Sequence, residues 1–321
     1  MTEISNNPLG FKVEHPGMLT LLQDLGRFGQ AKLGLTNGGP GDKLAFNWAN
    51  RLLENDVNAS MLEASFGGLK LTSQINTVIC VTGANVPLSI NGENKPLWST
   101  HNIAKGDKIE LGFASQGIRA YLAVKGGFCV EKQFGSVATV LRENIGGLTG
   151  EALKPGDHLP ANNAQHSDKQ HHLLQQDQPN YDQEIRLRVI PGYQQQQFSR
   201  LQQRRFFAGH YQVSKQWDRM GYRLEGPAIK CTQTAMLSEG ITLGAIQIPP
   251  DGQPIVLMHD RQTIGGYPKI GSVLSLDLSR LAQCGQGANI YFEPITMETA
   301  HNELHLAKFR YDKTKVVIKS W

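Results

Sequence analysis

"GAIQIPPDGQPIVLMHDRQTIGGYPKIG", residues 244–271, is the stretch on which the reading of the whole chain turns. Pro249-Pro250-Asp251-Gly252 is a turn sequence, because proline presets φ and glycine supplies a left-handed position, so "GAIQI" and "PIVLM" become two arms of a hairpin. Alternation then sends Val256, Met258 and Asp260 to one face and Ile255, Leu257, His259 and Arg261 to the other. Beyond the second arm an unbroken polar row, His259 to Thr263, runs towards Gly265, Gly266, Tyr267 and Pro268. A sheet rim carrying Asp260, Arg261, Gln262 and Thr263 beside residues without side chains suits a small anionic or amide-bearing ligand. Arg261 and Lys269 bring charge, Gln262 and Thr263 donate or accept, and Gln247, Gly265, Gly266 and Tyr267 complete the candidate set. A long turn with a solvated, charged rim is the plain alternative.

The same texture recurs along the chain. "INTVICVTGA" and "IRLRVIPG" are short β-branched runs bounded by Gly, Pro, Asn and Asp, "GDKIEL" and "GIRAYLAVKGG" follow the same rule, and Asn91-Gly92 invites a tight hairpin. Helices are few. Asp42 can cap a helix in "GDKLAFNWANRLLEN", with Ala45, Trp48, Ala49 and Leu52 on one stripe. "LDLSRLAQCG" predicts a short helix stopped at Gly285, and Met297, Ala300, Leu304, Ala307 and Tyr311 recur at helical steps. The fold class expected is mainly β with few helices, each half a closed or nearly closed antiparallel sheet.

The 321 residues exceed one ordinary domain. Residues 161–184, rich in Gln, Asn, His and Asp, read as a linker between an N-terminal half, 1–160, and a C-terminal half, 185–321. "FKVEHPG" and "LRVIPG" open the two halves alike, but without the fixed period that marks a repeat. A net charge of +4, spread along the chain, leaves no footprint for a nucleic-acid partner. Cys80, Cys129, Cys231 and Cys284 are far apart and read as small buried apolar side chains in a reducing compartment. "MTEISNNPLG" has no signal-peptide pattern, and no apolar run reaches membrane-spanning length, so a soluble, cytoplasmic protein is expected.

Other polar stretches are weaker candidates. Gln23, Asp24 and Arg27 interrupt the apolar run of "TLLQDLGRFG", either as a ligand site or as an ion pair buttressing a turn. "TNGGPGD" offers a helix N-terminus to an anion, although Asp42 argues for capping. Glu63 lies in an apolar segment and reads as a buried acid or a satisfied structural one. His301 and His305 stand one helical turn apart, but Asn302 occupies the place of the Glu in H-E-x-x-H, and no metal site is expected. There is no G-x-x-x-x-G-K-[ST] loop, no G-x-S-x-G elbow and no Met-Lys-Met biotin segment.

From about Gly17 to Pro294 the chain resembles the family variously called allophanate hydrolase subunit 2, biotin-dependent carboxyltransferase, Kip antagonist or the C subunit of 5-oxoprolinase. The resemblance rests on "TLLQDLGRFG", "NGGPGDKLAFNWANRLLEN", "LEASFGG", "RAYLAVKGGF", "DRMGYRLEG", "SEGITLGAIQIPPDGQPIVLMHDRQTIGGYPKIG" and "LSRLAQCGQG". It implies two cyclophilin-like β-barrel subdomains, a companion cyclophilin-like subunit, and a further catalytic subunit in a complex that opens pyroglutamate to glutamate with ATP. In that setting this chain binds no cofactor of its own, and ATP, or biotin in a carboxyltransferase system, comes through partners. The substrate would be a small amide or lactam, with Arg261, Gln262, Thr263 and the Gly265-Gly266 backbone holding the amide oxygen and Asp260 as base or orienting group. Alternatives are a regulatory protein that binds a kinase inhibitor and a carboxyltransferase component of a urea carboxylase-like system. Where many members read Gly-Ser-Arg-Ser-Thr and later Gly-Arg, this chain has "GSVAT" with Val137 and "GE" with Glu151, so two cationic contacts are missing.

Overall fold

The 244–271 hairpin forms as its turn sequence predicts. In the computed structural model, which describes residues 9–232 and 236–320, strand Ala245–Gln247 pairs antiparallel with Ile255–Leu257. Gly252, at φ 78°, closes the turn by donating its N–H to the Pro249 carbonyl at 2.9 Å. Val256 and Met258 enter one apolar core, whereas Leu257 and Ile255 pack in a second small cluster with Ile241 and Ala245. The alternation therefore holds as far as Met258. The residues read for a targeting segment lie, up to residue 8, outside the described residues.

Chain contacts divide the molecule into two units. The first comprises residues 9–28, 38–180 and 315–320. Its six-stranded sheet runs, in spatial order, His158–Pro160, Gly10–Pro16, Leu69–Ser73, Lys108–Leu111, Leu88–Ile90, Glu93–Lys95. A five-stranded sheet runs Leu19–Gln23, Met61–Ser65, Gln116–Val124, Thr77–Asn85, Thr100–Ile103. Both contribute to one core, with Phe11, Leu71 and Ile109 from the first sheet and Leu62, Val81 and Leu122 from the second. The Asn91-Gly92 turn has φ of 53° and 82°, the positive values that such a hairpin requires. Among the described residues the two sheets of this unit pack face to face around that core, and no ladder joins their edges.

The second unit comprises residues 29–37 and 181–314. Here a seven-stranded barrel does close, in the order Glu184–Pro191, Lys269–Val273, Ala245–Gln247, Ile255–Leu257, Gly221–Glu225, His210–Trp217, Asn289–Pro294. One ladder, Glu184 to Val189 against Asn289 to Pro294, is parallel, which the expectation of purely antiparallel sheets missed. The two strands are far apart in sequence, and a long crossover permits what a hairpin cannot. The opening strands Gly10–Pro16 and Glu184–Pro191 accordingly sit in different pairings, since the first has antiparallel partners on both sides.

The polar stretch 161–184 is not a free linker. Lys169–His172 pairs with Val317–Ser320, the His171 imidazole Nδ1 lies 2.9 Å from the Leu52 carbonyl oxygen, and Leu173 is buried. Its side chains are too polar to make a core, but backbone pairing needs none, and the unit boundary falls at residues 180 and 181.

Of the helices, α1 (Lys43–Leu52) is capped by Asp42, whose carboxylate accepts from Leu44 N and Ala45 N at 3.1 Å each. It buries Ala45, Phe46, Trp48, Ala49 and Leu52. Helix α2 spans Arg200–Ala208, and α3 (Ser275–Leu281) ends earlier than Gly285. Helix α4 (Met297–Lys313) forms where the periodicity predicts, yet of the stripe only Ala300 is buried, and Met297 and Leu304 remain exposed. Cys80 and Cys284 are buried as expected, whereas Cys129 is exposed and Cys231 half-buried. Among the described residues no helix is long and apolar enough to cross a membrane.

Asp42→Ala removes the acceptor of two orphan amides at the start of α1 and should lower stability by about 1 kcal/mol, measured as a shift in the urea midpoint. An unchanged midpoint would show that the cap is dispensable.

Candidate functional site

In the first unit, Gln23, Asp24 and Arg27 are all buried and all turned towards one segment of their own chain. Gln23 donates to the Thr139 carbonyl at 3.0 Å and accepts from Gly39 N at 3.1 Å. Asp24 accepts from Gly26 N, from the Ser136 hydroxyl and from Val137 N. Arg27 donates to the carbonyls of Gln133 and Ala138 at 3.2 and 3.0 Å. These side chains hold the 133–139 loop, the place of the "GSVAT" departure, where Val137 is buried in the core and Glu151 pairs outside with Lys154. The capping reading of "TNGGPGD" also holds. Glu63 accepts from Gly41 N at 2.8 Å and from the Tyr121 hydroxyl at 2.7 Å, with Arg119 Nε 3.5 Å from its other oxygen. Burial, and then the nearby Glu63 carboxylate, push the Tyr121 hydroxyl well above its ordinary pKa. It therefore stays a neutral donor, and Glu63 is a satisfied structural acid.

In the second unit the polar row divides. Asp260 is 4% exposed, and both its oxygens are held at 2.8 Å by Nε and Nη2 of Arg219, a buried fork-to-fork pair. A carboxylate gripped in this way has little capacity to take a proton from substrate, so its geometry suits orienting rather than base work. Arg261 makes longer contacts, to the carbonyls of Ile241 and Met258 at 3.3 and 3.4 Å and to Asn37 Oδ1 at 3.5 Å. Burial lowers its guanidinium pKa, opposed by the charge of Asp260. Partly desolvated and satisfied by neutral oxygens, Arg261 retains the capacity to receive an anion. Gln262 and Thr263 are half-buried, Tyr267 is exposed, and none of the three makes a side-chain hydrogen bond among the described residues.

The Gly265-Gly266 backbone is approached by the chain itself. Strand Ile264–Gly265 pairs with Glu239–Gly240, and Met236 N donates to the Gly266 carbonyl. A Cβ on Gly265 would stand 2.4 Å from Ile241 Cδ1 and 2.8 Å from Gln247 Nε2, and one on Gly266 would stand 2.9 Å from the Met236 carbonyl oxygen. The missing side chains are thus required by this small ladder.

Around it the structure gathers Glu239, Tyr193 and Gln194, which the sequence reading left out, beside Lys269 and Gln247, which it named. Lys269 Nζ and the Tyr193 hydroxyl both bond Oε1 of Glu239, and Gln194 Nε2 donates to the same oxygen at 2.6 Å. Gln194 Oε1 accepts from Lys269 N at 2.7 Å. The hydrogen bond from Lys269, then that from Tyr193, holds the Glu239 carboxyl below its usual range, and the same bond raises the Tyr193 hydroxyl. Gln247 faces Lys269 on the neighbouring strand, is 2% exposed, and its Nε2 has no hydrogen-bond partner among the described residues. "SEG" before the hairpin and the glutamine run "GYQQQQF" gave no chemical pattern, because these residues converge through barrel closure rather than spacing. His301 and His305 are exposed on α4. No group of three or more metal-ligating side chains is present among the described residues.

Asp260→Ala leaves the Arg219 guanidinium buried without its carboxylate and should cost about 3–5 kcal/mol, whereas half-buried Gln262→Ala should stay within about 0.5 kcal/mol. Chemical denaturation of both variants checks this, and a mild Asp260→Ala would show that water reaches the pair.

Comparison with known proteins places these features in a family. The model of the carboxyltransferase domain, subdomains A and B, matches residues 33–294. The chain is 36% identical over 299 residues to the C subunit of 5-oxoprolinase from Haemophilus influenzae, covering 90% of this chain and 94% of that one. Against the C subunit of the Escherichia coli 5-oxoprolinase identity is 36% over 292 residues, with coverages of 90% and 92%. The crystal structure of Kluyveromyces lactis urea carboxylase superposes with a TM-score of 0.88 at 26% identity, covering 98% of this chain but 30% of that longer protein. The chain belongs to the carboxyltransferase-domain family, subdomains A and B.

Proposed function

We propose that this chain is one subunit of a heteromeric, ATP-dependent 5-oxoprolinase that opens the lactam ring of 5-oxoproline (pyroglutamate) to glutamate. The observation that carries this reading is identity sustained over 94% of a relative named as the C subunit of 5-oxoprolinase. The assembly is completed by a companion cyclophilin-like subunit and a further catalytic one, and the nucleotide belongs to them, since no P-loop sequence occurs here. Exposed Met297, Leu306 and Phe309 on α4 give apolar surface of the kind that is covered in a heteromeric assembly.

An amide is a poor electrophile, and ATP activates it by phosphorylating the amide oxygen before water opens the C–N bond. Negative charge is spread over the transferred phosphoryl group in that step, so fixed donors that hold the lactam in line for attack and face that charge lower the barrier, with ADP released first and phosphate after ring opening. Arg261, Gln262 and Thr263 are the donors, Tyr267 lies beside them, and Asp260 acts through Arg219 as a positioning group that holds the turn. Gln23, Asp24 and Arg27 serve by fixing the 133–139 loop. The fold match to urea carboxylase favours a second reading, a carboxyltransferase component that receives carboxyl from a biotin carried by a partner. The rim donors suit a urea carbonyl as well as a lactam.

Reconstitution with the companion subunits separates the two. ATP-dependent loss of 5-oxoproline is expected, with no ATP turnover by this chain alone, and Arg261→Ala or Gln262→Ala should lower turnover about a hundredfold with the melting temperature little changed. Transfer of carboxyl from biotin to urea, with 5-oxoproline untouched, would favour the second reading. Full activity in both variants would remove the polar row from the site.

A further inference from the structure

Lys269 and Glu239 form an unequal pair. The lysine side chain is 11% exposed, and the carboxylate, on a two-residue strand at the barrel rim, is 33% exposed. Lys269, Tyr193 and Gln194 all converge on one oxygen, Oε1, and Oε2 has no partner among the described residues. Meanwhile Gln247 presents a buried, unused amide N–H2 from the strand position opposite Lys269, and Gly265, the strand partner of Glu239, has no side chain to cover it. A buried donor without an acceptor keeps its desolvation cost uncompensated, and a ligand oxygen would compensate it.

We infer that Lys269, Tyr193, Gln194 and Gln247 form a subsite for the carboxylate of a small molecule, and that Glu239 fills it as an internal surrogate which the incoming carboxylate displaces. The exchange replaces one carboxylate with another, so the buried ammonium is never left without an anion. The gain comes from geometry: a free carboxylate can place one oxygen among the three donors now on Glu239 and aim the second at Gln247. Glu239, displaced, is already at the rim and returns to water. Resting on the function proposed above, the ligand is 5-oxoproline, with its carboxylate here and its lactam towards Arg261, Gln262 and Thr263.

Calorimetric titration of the full chain with L-5-oxoproline, its uncharged carboxamide, and cyclopentanecarboxylate, which has the carboxylate but no lactam, tests the subsite. The acid should bind at least about tenfold more tightly than the carboxamide. Glu239→Gln should strengthen binding of both carboxylates several-fold, because the competing charge is gone. Lys269→Met and Gln247→Leu should each weaken it at least about tenfold, with folding verified by thermal melting. A merely structural salt bridge would give no strengthening in Glu239→Gln, and that result, equal binding of acid and carboxamide, or no carboxylate binding to wild type and Glu239→Gln alike, would overturn the inference. Cyclopentanecarboxylate separates the two readings. Its enhanced binding to Glu239→Gln upholds the subsite even if the assembled complex leaves 5-oxoproline intact. Conversely, 5-oxoproline turnover whose KM is indifferent to all three substitutions leaves the function standing and removes the subsite.

Discussion

Closure of the seven-stranded barrel forces Gln247 and Lys269 onto facing positions of neighbouring strands, and the chemistry of the second unit follows from that register. Side chains opposite one another in an antiparallel pair share a face. An ammonium and an amide are thereby brought together at low exposure, and neither can leave without breaking a ladder. The lysine needs an anion, and Glu239 supplies it from a short strand whose own position depends on Gly265 and Gly266 having no side chains. A one-residue slip of the Lys269–Val273 strand would turn Lys269 to the other face and undo the whole arrangement.

Two kinds of buried charge serve different ends here. Asp260 with Arg219, and Glu63 with Tyr121 and Gly41, are closed groups whose donors and acceptors are well matched inside the protein. They fix loops and strand ends. Glu239 with Lys269 is open: among the described residues one carboxylate oxygen is crowded, the other is unused, and the Gln247 amide lacks an acceptor. Arg261, held by neutral oxygens at long distances, is open in the same sense. Ligand chemistry is expected where such capacity is left over.

What the sequence disclosed follows the same division. The Pro-Pro-Asp-Gly turn, the Asn91-Gly92 hairpin and the Asp42 cap were legible because each is decided by residues within a few positions of one another. The polar row was legible as a row, but not its sorting, since Asp260 is tied to Arg219, which lies 41 positions away. The 161–184 stretch misled because composition reports what can be buried, whereas its strand is held by backbone pairing with the chain's last residues. Gln247 and Lys269 were named as candidates for their chemistry, while Glu239, Tyr193 and Gln194 required the closed barrel to bring them to the lysine.

Family membership, the barrel and the surplus donors support one account, in which the second unit holds an anionic amide by its carboxylate and polarises its carbonyl. The most direct measurement is a crystal structure of the full chain grown with 5-oxoproline. The account predicts the ligand carboxylate on Lys269 Nζ and Gln247 Nε2, with Glu239 swung out to solvent. Ligand bound elsewhere, with the Lys269–Glu239 pair intact and Gln247 still without an acceptor, would contradict it.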